Sequence, residues 1–434
     1  MTFLLALLFL IFVYVRPGEI FSGWEGFPFL EILAGLSAVS VAGSLAVRPR
    51  RLWNLPHDRF VLGFLVAIVV SNVAWGWLVG GYQGLLAMAP AIFGYVLLRS
   101  AVESSRQLQW IRYTLIALTL FHAVNGIVQF HTGVGLGDVA PIEMRSVSID
   151  GEEEGEVRRI RGTGIFNDPN DLALALVIAT PFLAGPLVRR ATPVYGRVAA
   201  FLLLVPIVVA LYYTNSRGGV LGFAAALLPY LYRRFGTVTG PVCATAGLVA
   251  LLALGPSRTS TIDPSESSAQ GRVQSWAEGL QMFKSRPLFG VGFGRYTDFN
   301  ELAAHNAFVH TLGELGLFGS FFFVGMGYWF HQSARQHVDH RRPDSEATQL
   351  RTWGEDLWQS GLGFGVCGLF LSQQYSVLLF IWLALSGCYL HVVQDITPVS
   401  VSRSSVHLTR IAGITVGAVI CTYTVVRLFA VWGI

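Results

Sequence analysis

The chain has 434 residues, of which 53% are hydrophobic, 13% aromatic and only 13% charged, with a net charge of +4. Soluble domains carry about 25% charged residues, so this composition excludes a disordered, fibrous or nucleic-acid-binding chain and argues against a soluble enzyme. The positive charge is almost wholly arginine, since Lys284 is the single lysine. Cys243, Cys367, Cys388 and Cys421 are scattered through apolar stretches without CxxC spacing, so neither a disulfide framework nor a thiolate metal site is read from them.

An α-helix needs about 20 mostly apolar residues to cross the bilayer core. In chain order, runs of that kind fall at 2–15, 29–47, 60–79, 82–98, 111–131, 171–188, 198–214, 218–232, 238–254, 307–330, 357–371, 376–392 and 411–431. The expected fold is therefore all-α: a polytopic transmembrane helix bundle of about 12–13 spans, forming one membrane domain over 1–434. The first run is short and no small-residue cleavage site follows it, so it reads as an uncleaved span. A re-entrant break at 372–376 is an alternative reading of 357–392. Arginines cluster in alternate connections: around Arg48–Arg59, Arg99–Arg112, Arg189–Arg197, Arg233–Arg234, Arg335–Arg351 and Arg403–Arg410. Retention of positive charge inside the cell assigns that face to the cytoplasm.

The opposite face carries two long segments, 132–170 and 255–306, and long connections are often functional. In the first, the acidic residues Glu152, Glu153, Glu154 and Glu156 precede Arg158, Arg159 and Arg161. The acidic run reads as a solvated turn or hairpin tip. The segment ends in Arg161-Gly-Thr-Gly-Ile-Phe-Asn-Asp-Pro-Asn170, where Asp168-Pro169-Asn170 has turn chemistry and Asn170 is the expected helix N-cap. Arg161 has no reason to be on this face from charge topology alone.

Next comes Tyr213-Thr-Asn-Ser-Arg217-Gly-Gly, with almost no loop between two apolar runs, which places Arg217 at or just below the membrane surface. An arginine at that depth costs roughly 2.5–3.5 kcal/mol on insertion scales and marks a cavity or site; snorkelling to headgroups is the plainer alternative. The second long segment opens with a Ser/Thr/Pro-rich stretch at 257–268. Val273, Trp276, Leu280 and Phe283 then follow at helical spacing, just after Arg272. They predict an amphipathic helix near 271–284 lying on the membrane, with Trp276 at the interface. Gly290, Gly292 and Gly294 have the wrong spacing and context for a dinucleotide fingerprint. His305 stands at the start of the next apolar run, on the face that also holds Arg161, Arg217 and Arg272. His337 and His340 have metal-pair spacing but lie in an arginine-rich loop and read as solvated.

Three arginines and a histidine suit a phosphate-bearing substrate. Arginine makes forked, charge-assisted bonds to phosphate, and histidine accepts a proton near neutral pH. No DxD, HExxH or P-loop motif is present, so no metal site and no cofactor are expected.

The ordered set RGTGIFNDPNDLA, YTNSRGG, GRVQSWAEGLQMF-x3-PLFGVGFGRY and HNAFVHTLGELGLFG resembles the O-antigen ligase and polymerase superfamily of bacterial integral-membrane glycosyltransferases. The resemblance covers 161–319 in motifs and the whole chain in hydropathy. It implies an inverting, metal-independent transferase of the bacterial inner membrane. The implied donor is an undecaprenyl-diphosphate-linked glycan, and the acceptor a glycan or lipid-linked hydroxyl on the periplasmic or extracytoplasmic side. Membrane lipids are the other implied partner, and nucleic acid is not one. Carried over by position, Arg217 and Arg272 would hold the donor diphosphate, His305 would be the base, and Arg161 matches the arginine ahead of the FNDPN turn. Two other readings compete: a transporter or flippase of a lipid-linked sugar, which favours inverted repeats and broken helices, and a non-catalytic envelope scaffold.

Overall fold

The computed structural model describes residues 1–47, 54–147, 153–253, 267–336, 345–396 and 405–431. Glu152, His337, His340 and most of the 257–268 stretch lie outside these residues. The helices are α1 (Thr2–Val15), α2 (Phe29–Val47), α3 (Pro56–Val73), α4 (Leu78–Ala101) and α5 (Ser105–Thr132). The strands β1 (Ile142–Val147) and β2 (Glu153–Arg159) follow, then α6 (Pro169–Val188), α7 (Val194–Tyr213), α8 (Arg217–Ala253) and α9 (Ser267–Ser285). The chain continues through α10 (Ala307–Ala334), α11 (Ser345–Gly368), α12 (Val377–Ile396) and α13 (Ser405–Val431).

The architecture is an all-α polytopic bundle with one addition, an antiparallel hairpin that pairs Ile142 with Arg159. Among the described residues, ten helices are long and apolar enough to cross a membrane: α1–α7, α10, α12 and α13. The apolar runs at 218–232, 238–254 and 357–371 fall in α8 and α11, which are not among the ten. The helical path of α8 is interrupted at Gly236 (φ 86°, ψ −174°). In α11, Asp356, Gln359 and Ser360 are polar and buried. On α7, Phe201 (57% exposed) and Leu202 (62% exposed) turn outward, as expected of a helix whose outer face meets lipid rather than water.

By contacts the chain divides into two compact units. The first comprises 1–42, 101–262 and 337–367. At its centre is α6, where Leu172, Leu174, Leu176 and Phe182 are buried. Pro169 suits the first helical position because its missing N–H would be unsatisfied there anyway. The helix cap is Asp168, whose carboxylate accepts from Asn170 N–H at 2.7 Å. This corrects the expected cap, Asn170, whose side chain is used elsewhere. At the far end of α6, the buried Asp356 of α11 accepts from Arg112 of α5 at 3.0 Å, from Arg189 and from the Tyr230 hydroxyl of α8. One carboxylate thus ties four elements together. Its two cationic partners offset the cost of placing a charge in an apolar interior.

The second unit comprises 43–100, 263–336 and 368–434. It has an equivalent buried pair: Asp58 of α3 accepts from Arg99 of α4 at 3.1 and 3.2 Å and from Tyr95 at 2.6 Å. The feature that shapes this unit is α10, whose helical path breaks at Gly316 (φ 63°, ψ −159°). Gly316 is the tenth residue of the helix, about 15 Å along it at the usual rise. The segment 287–292 fills the break: Val291 N–H donates to Gly313 O at 3.0 Å and Gly292 N–H to Glu314 O at 2.9 Å. In the other direction, Leu317 N–H donates to Pro287 O at 2.8 Å and Phe318 N–H to Leu288 O at 3.0 Å. Away from water such groups must be paired within the protein, and the crossing segment supplies the pairs. The approach is so close that a Cβ on Gly290 would lie 2.3 Å from the Glu314 carbonyl, and one on Gly316 2.5 Å from that of Leu288. Both glycines also have positive φ, so glycine serves sterically and conformationally at both positions.

Candidate functional site

Arg161 and Arg217 belong to the first unit, Arg272 and His305 to the second.

In the first unit, β2 runs directly into the region of interest. Ile160 N–H donates to Tyr213 O at 3.1 Å. The Arg159 side chain, only 7% exposed, donates from Nε to Thr214 O at 2.9 Å and from Nη2 to Asn170 Oδ1 at 3.0 Å. Ser216 Oγ donates to the same Asn170 oxygen at 2.8 Å and accepts from Gly219 N–H at 3.2 Å. Ser216 therefore caps α8, and Asn215 takes a left-handed conformation (φ 53°) at the turn. These bonds fasten the hairpin, the start of α6 and the start of α8 into one knot, and Arg217 is the residue that follows it. A half-buried cation at a helix N-terminus is opposed by the helix dipole. A site that gathers an arginine and a helix N-terminus at one point is suited to an anion.

Arg161 follows the knot by two residues. Its guanidinium donates to Ala140 O and Asn167 Oδ1, both at 2.9 Å, while Gln129 bridges its backbone N–H (2.9 Å) and carbonyl (3.2 Å). These contacts give it a bracing role in the loop, which answers why a cation sits there. The sequence reading gave Arg159 no role; its neighbour Arg158 is exposed and paired with Glu143 at 3.2 Å.

In the second unit, α9 forms where the amphipathic helix was expected. Its apolar stripe turns onto protein: Leu280 is buried with Leu312 of α10 and Val426 of α13, and Trp276 and Phe283 pack beside them. Arg272 is half-buried one turn before Trp276, and residues four apart share a helix face. The Trp276 indole donates to Ala304 O at 2.9 Å, pinning the residue next to His305 onto the helix that carries Arg272. His305 is half-buried and has φ 48°, a conformation that costs a non-glycine residue about 1–2 kcal/mol. The following residue, Asn306, caps α10 by accepting from Phe308 N–H and Val309 N–H, both at 3.0 Å. Strain of this kind persists where surrounding structure enforces it, and it concentrates at functional sites. Arg272 and His305 are thus presented by elements locked to each other.

Behind them lies a polar cluster that sequence reasoning missed. Glu314 of α10 is 1% exposed. Its carboxylate accepts from Tyr296 N–H and from the Tyr375 hydroxyl, each at 2.9 Å, and lies 3.2 Å from His310 Nε2. The other His310 ring nitrogen meets Ser372 Oγ at 3.0 Å. Burial, and then the Glu314 charge, push the Tyr375 phenol far above its ordinary pKa, so it remains a donor. The same two causes raise Tyr296, whose hydroxyl donates to Ser275 O of α9. Glu314 therefore holds the crossing segment, α10 and the approach to α12 in one arrangement. The signal in the sequence was the His310/Glu314 pair, four residues apart inside an apolar run, where ionisable groups are costly and seldom incidental. Among the described residues, no three His, Cys, Asp or Glu side chains gather as a metal-ligand group.

Residues 199–324 match the family model described as O-antigen ligase, which puts this stretch in the O-antigen ligase and polymerase superfamily. The match contains Arg217, Arg272 and His305 and stops short of Arg161. No curated protein matches the chain.

Proposed function

We propose that this multi-pass membrane protein of the O-antigen ligase type is an inverting, metal-independent glycosyltransferase. Its donor is a glycan on undecaprenyl diphosphate, and its acceptor is a hydroxyl of a second glycan or of a lipid-linked molecule. The arginine-rich loops lie in the cytoplasm of a bacterial inner membrane, and the reaction takes place at the extracytoplasmic face. By their positions in the resemblance, Arg217 and Arg272 are each assigned to the donor diphosphate, Arg161 to a supporting role and His305 to the role of general base. In one displacement His305 takes the proton of the acceptor hydroxyl as its oxygen bonds to the anomeric carbon. The bond from that carbon to the diphosphate oxygen breaks, and the departing lipid diphosphate carries the electron pair to the arginines. Such preplaced positive charge is most effective where charge develops in the transition state.

The observation that carries the reading is the presentation of His305: a strained left-handed residue, fixed on one side by the Asn306 cap and on the other by the Trp276–Ala304 bond. The test uses purified protein, a lipid-diphosphate-linked oligosaccharide and an acceptor. His305→Ala should lose transfer by about 10²–10⁴-fold, the range for a general base, with donor binding retained. Arg217→Ala and Arg272→Ala should each weaken donor binding by about tenfold or more, since hydrogen bonds to charged groups contribute roughly 1.5–3 kcal/mol. Transfer at the unaltered rate by His305→Ala removes the base assignment, and unchanged donor affinity in both arginine variants removes the diphosphate clamp.

The break in α10 favours a second reading, transport of a lipid-linked sugar, because transporters bind substrate at interrupted helices. Release of free lipid diphosphate separates the two: a transferase generates it and a transporter leaves the donor intact.

A further inference from the structure

The arginine-rich end of the first unit holds a cleft lined by none of the residues assigned above to glycosyl transfer. It has a volume of about 210 Å³ and is lined by Val188, Arg189 and Arg190 from the end of α6, Tyr230, Arg233 and Arg234 from α8, and Glu355 from α11. Four arginines thus face one carboxylate. Glu355 is already engaged, at 3.0 Å from Arg233 and 3.6 Å from Arg189. Arg189 is further committed to the buried Asp356 behind the cleft and donates to Thr352 O at 3.2 Å. Among the described residues, no carboxylate lies within ion-pair distance of Arg190 or Arg234, and both are exposed. The rim is built rather than incidental: Arg197 donates to the carbonyls of Arg189 (3.2 Å) and Arg190 (3.0 Å), folding the turn that presents them.

Retention of positive charge on one side of a membrane explains arginines in a loop. It does not explain their convergence from two helices onto one cavity whose only carboxylate is spent. Such a cavity takes an anion, and arginine favours the oxygens of phosphate. The volume lies below the roughly 300 Å³ at which sites for drug-sized ligands start, and it suits a phosphate group better than an oligosaccharide. The position selects the source. Val188 is the last residue of a membrane-spanning helix, so the cleft opens where a bilayer places its headgroup phosphates, and anionic leaflets attract basic side chains there. Tyr232 and Phe235, 47% and 49% exposed beside the arginines, suit the aromatic–interface contacts of that layer.

We propose that this cleft binds the phosphate of an anionic phospholipid headgroup through Arg190 and Arg234, with Arg189 and Arg233 fixed as its walls. The inference is independent of the transferase reading. It is tested on the full-length protein in detergent by native mass spectrometry, titrating phosphatidylglycerol against phosphatidylcholine of the same chains, with inorganic phosphate as a competitor. Phosphatidylglycerol should be retained in preference, and millimolar inorganic phosphate should leave it in place. Arg190→Gln/Arg234→Gln spares the walls and should bind phosphatidylglycerol roughly twenty- to thirty-fold more weakly, at about one kcal/mol per basic residue. Arg190→Lys/Arg234→Lys should keep most of the preference. Equal retention of the two lipids, unchanged affinity in the glutamine variant, or displacement by inorganic phosphate would each overturn the proposal, the last by making the cleft a free-phosphate site. If the glutamine variant does not fold, the lipid preference and phosphate competition of the unaltered protein decide the matter.

Discussion

Glu314→Ala removes one buried carboxylate and leaves two donors without their acceptor, the buried Tyr296 N–H and the part-buried Tyr375 hydroxyl. A buried donor stripped of its partner costs about 1–3 kcal/mol, so the two groups together set a loss of roughly 2–6 kcal/mol. In a unit of this size each kcal/mol lowers the melting temperature by about 2–4 °C, which puts the expected fall near 10 °C. Glu314→Gln retains an acceptor for Tyr296 N–H and should fall less than half as far. With the exposed Cys421 replaced by serine, buried Cys388 in the same unit allows unfolding to be followed with a thiol-reactive dye. Hydrogen exchange at Val291 and Gly292, whose amides bond to the α10 break, reports whether the crossing segment loosens. Transfer activity should drop with that protection, because the segment leads to His305. An alanine variant with unchanged melting temperature and unchanged exchange at those amides would refute the claim that Glu314 holds this region.

Three further outcomes follow from contacts described above. Gly290→Ala places a Cβ against the Glu314 carbonyl at a residue with φ 67°; it should destabilise by at least the 1–2 kcal/mol of the conformation alone, read as a lower melting temperature. Arg159→Gln unties Thr214 and Asn170 and should weaken donor binding as strongly as Arg217→Ala despite its burial; a titration with labelled donor shows whether it does. Asp58→Asn leaves Arg99 as an uncompensated buried charge and should cost about 3–5 kcal/mol. The double change Asp58→Leu/Arg99→Met should recover most of that loss, since an apolar pair avoids burying any charge; thermal unfolding of the two variants compares them.

The gross architecture was legible because apolar run length is nearly sufficient to recognise a membrane helix. The same physics explains the misses. Asp168 and Asn170 are equally good caps by residue type, and only Pro169, with its preference for the first helical position, shows that the helix starts one residue after Asp168. The break at Gly316 left no mark on hydropathy, because its freed backbone groups are satisfied by a segment some 25 residues away in sequence (287–292), and run length does not register pairing. Arg159 and Arg158 are indistinguishable in a charge run; the register of β2 and the bonds of Ile160 bury one and expose the other. Arg217, Arg272 and His305 stood out by position, whereas the groups that hold their surroundings stood out only once their partners were known.

The four backbone hydrogen bonds across the α10 break have a consequence for how the protein works through its cycle. They run in both directions between the crossing segment and the helix, so neither can slide past the other without losing several at once. The start of α10, which follows His305, is therefore braced against swinging away from the crossing segment. On the proposed transferase reading it forms part of a preorganised wall, and the motion that admits a substrate is expected from elements outside that wall.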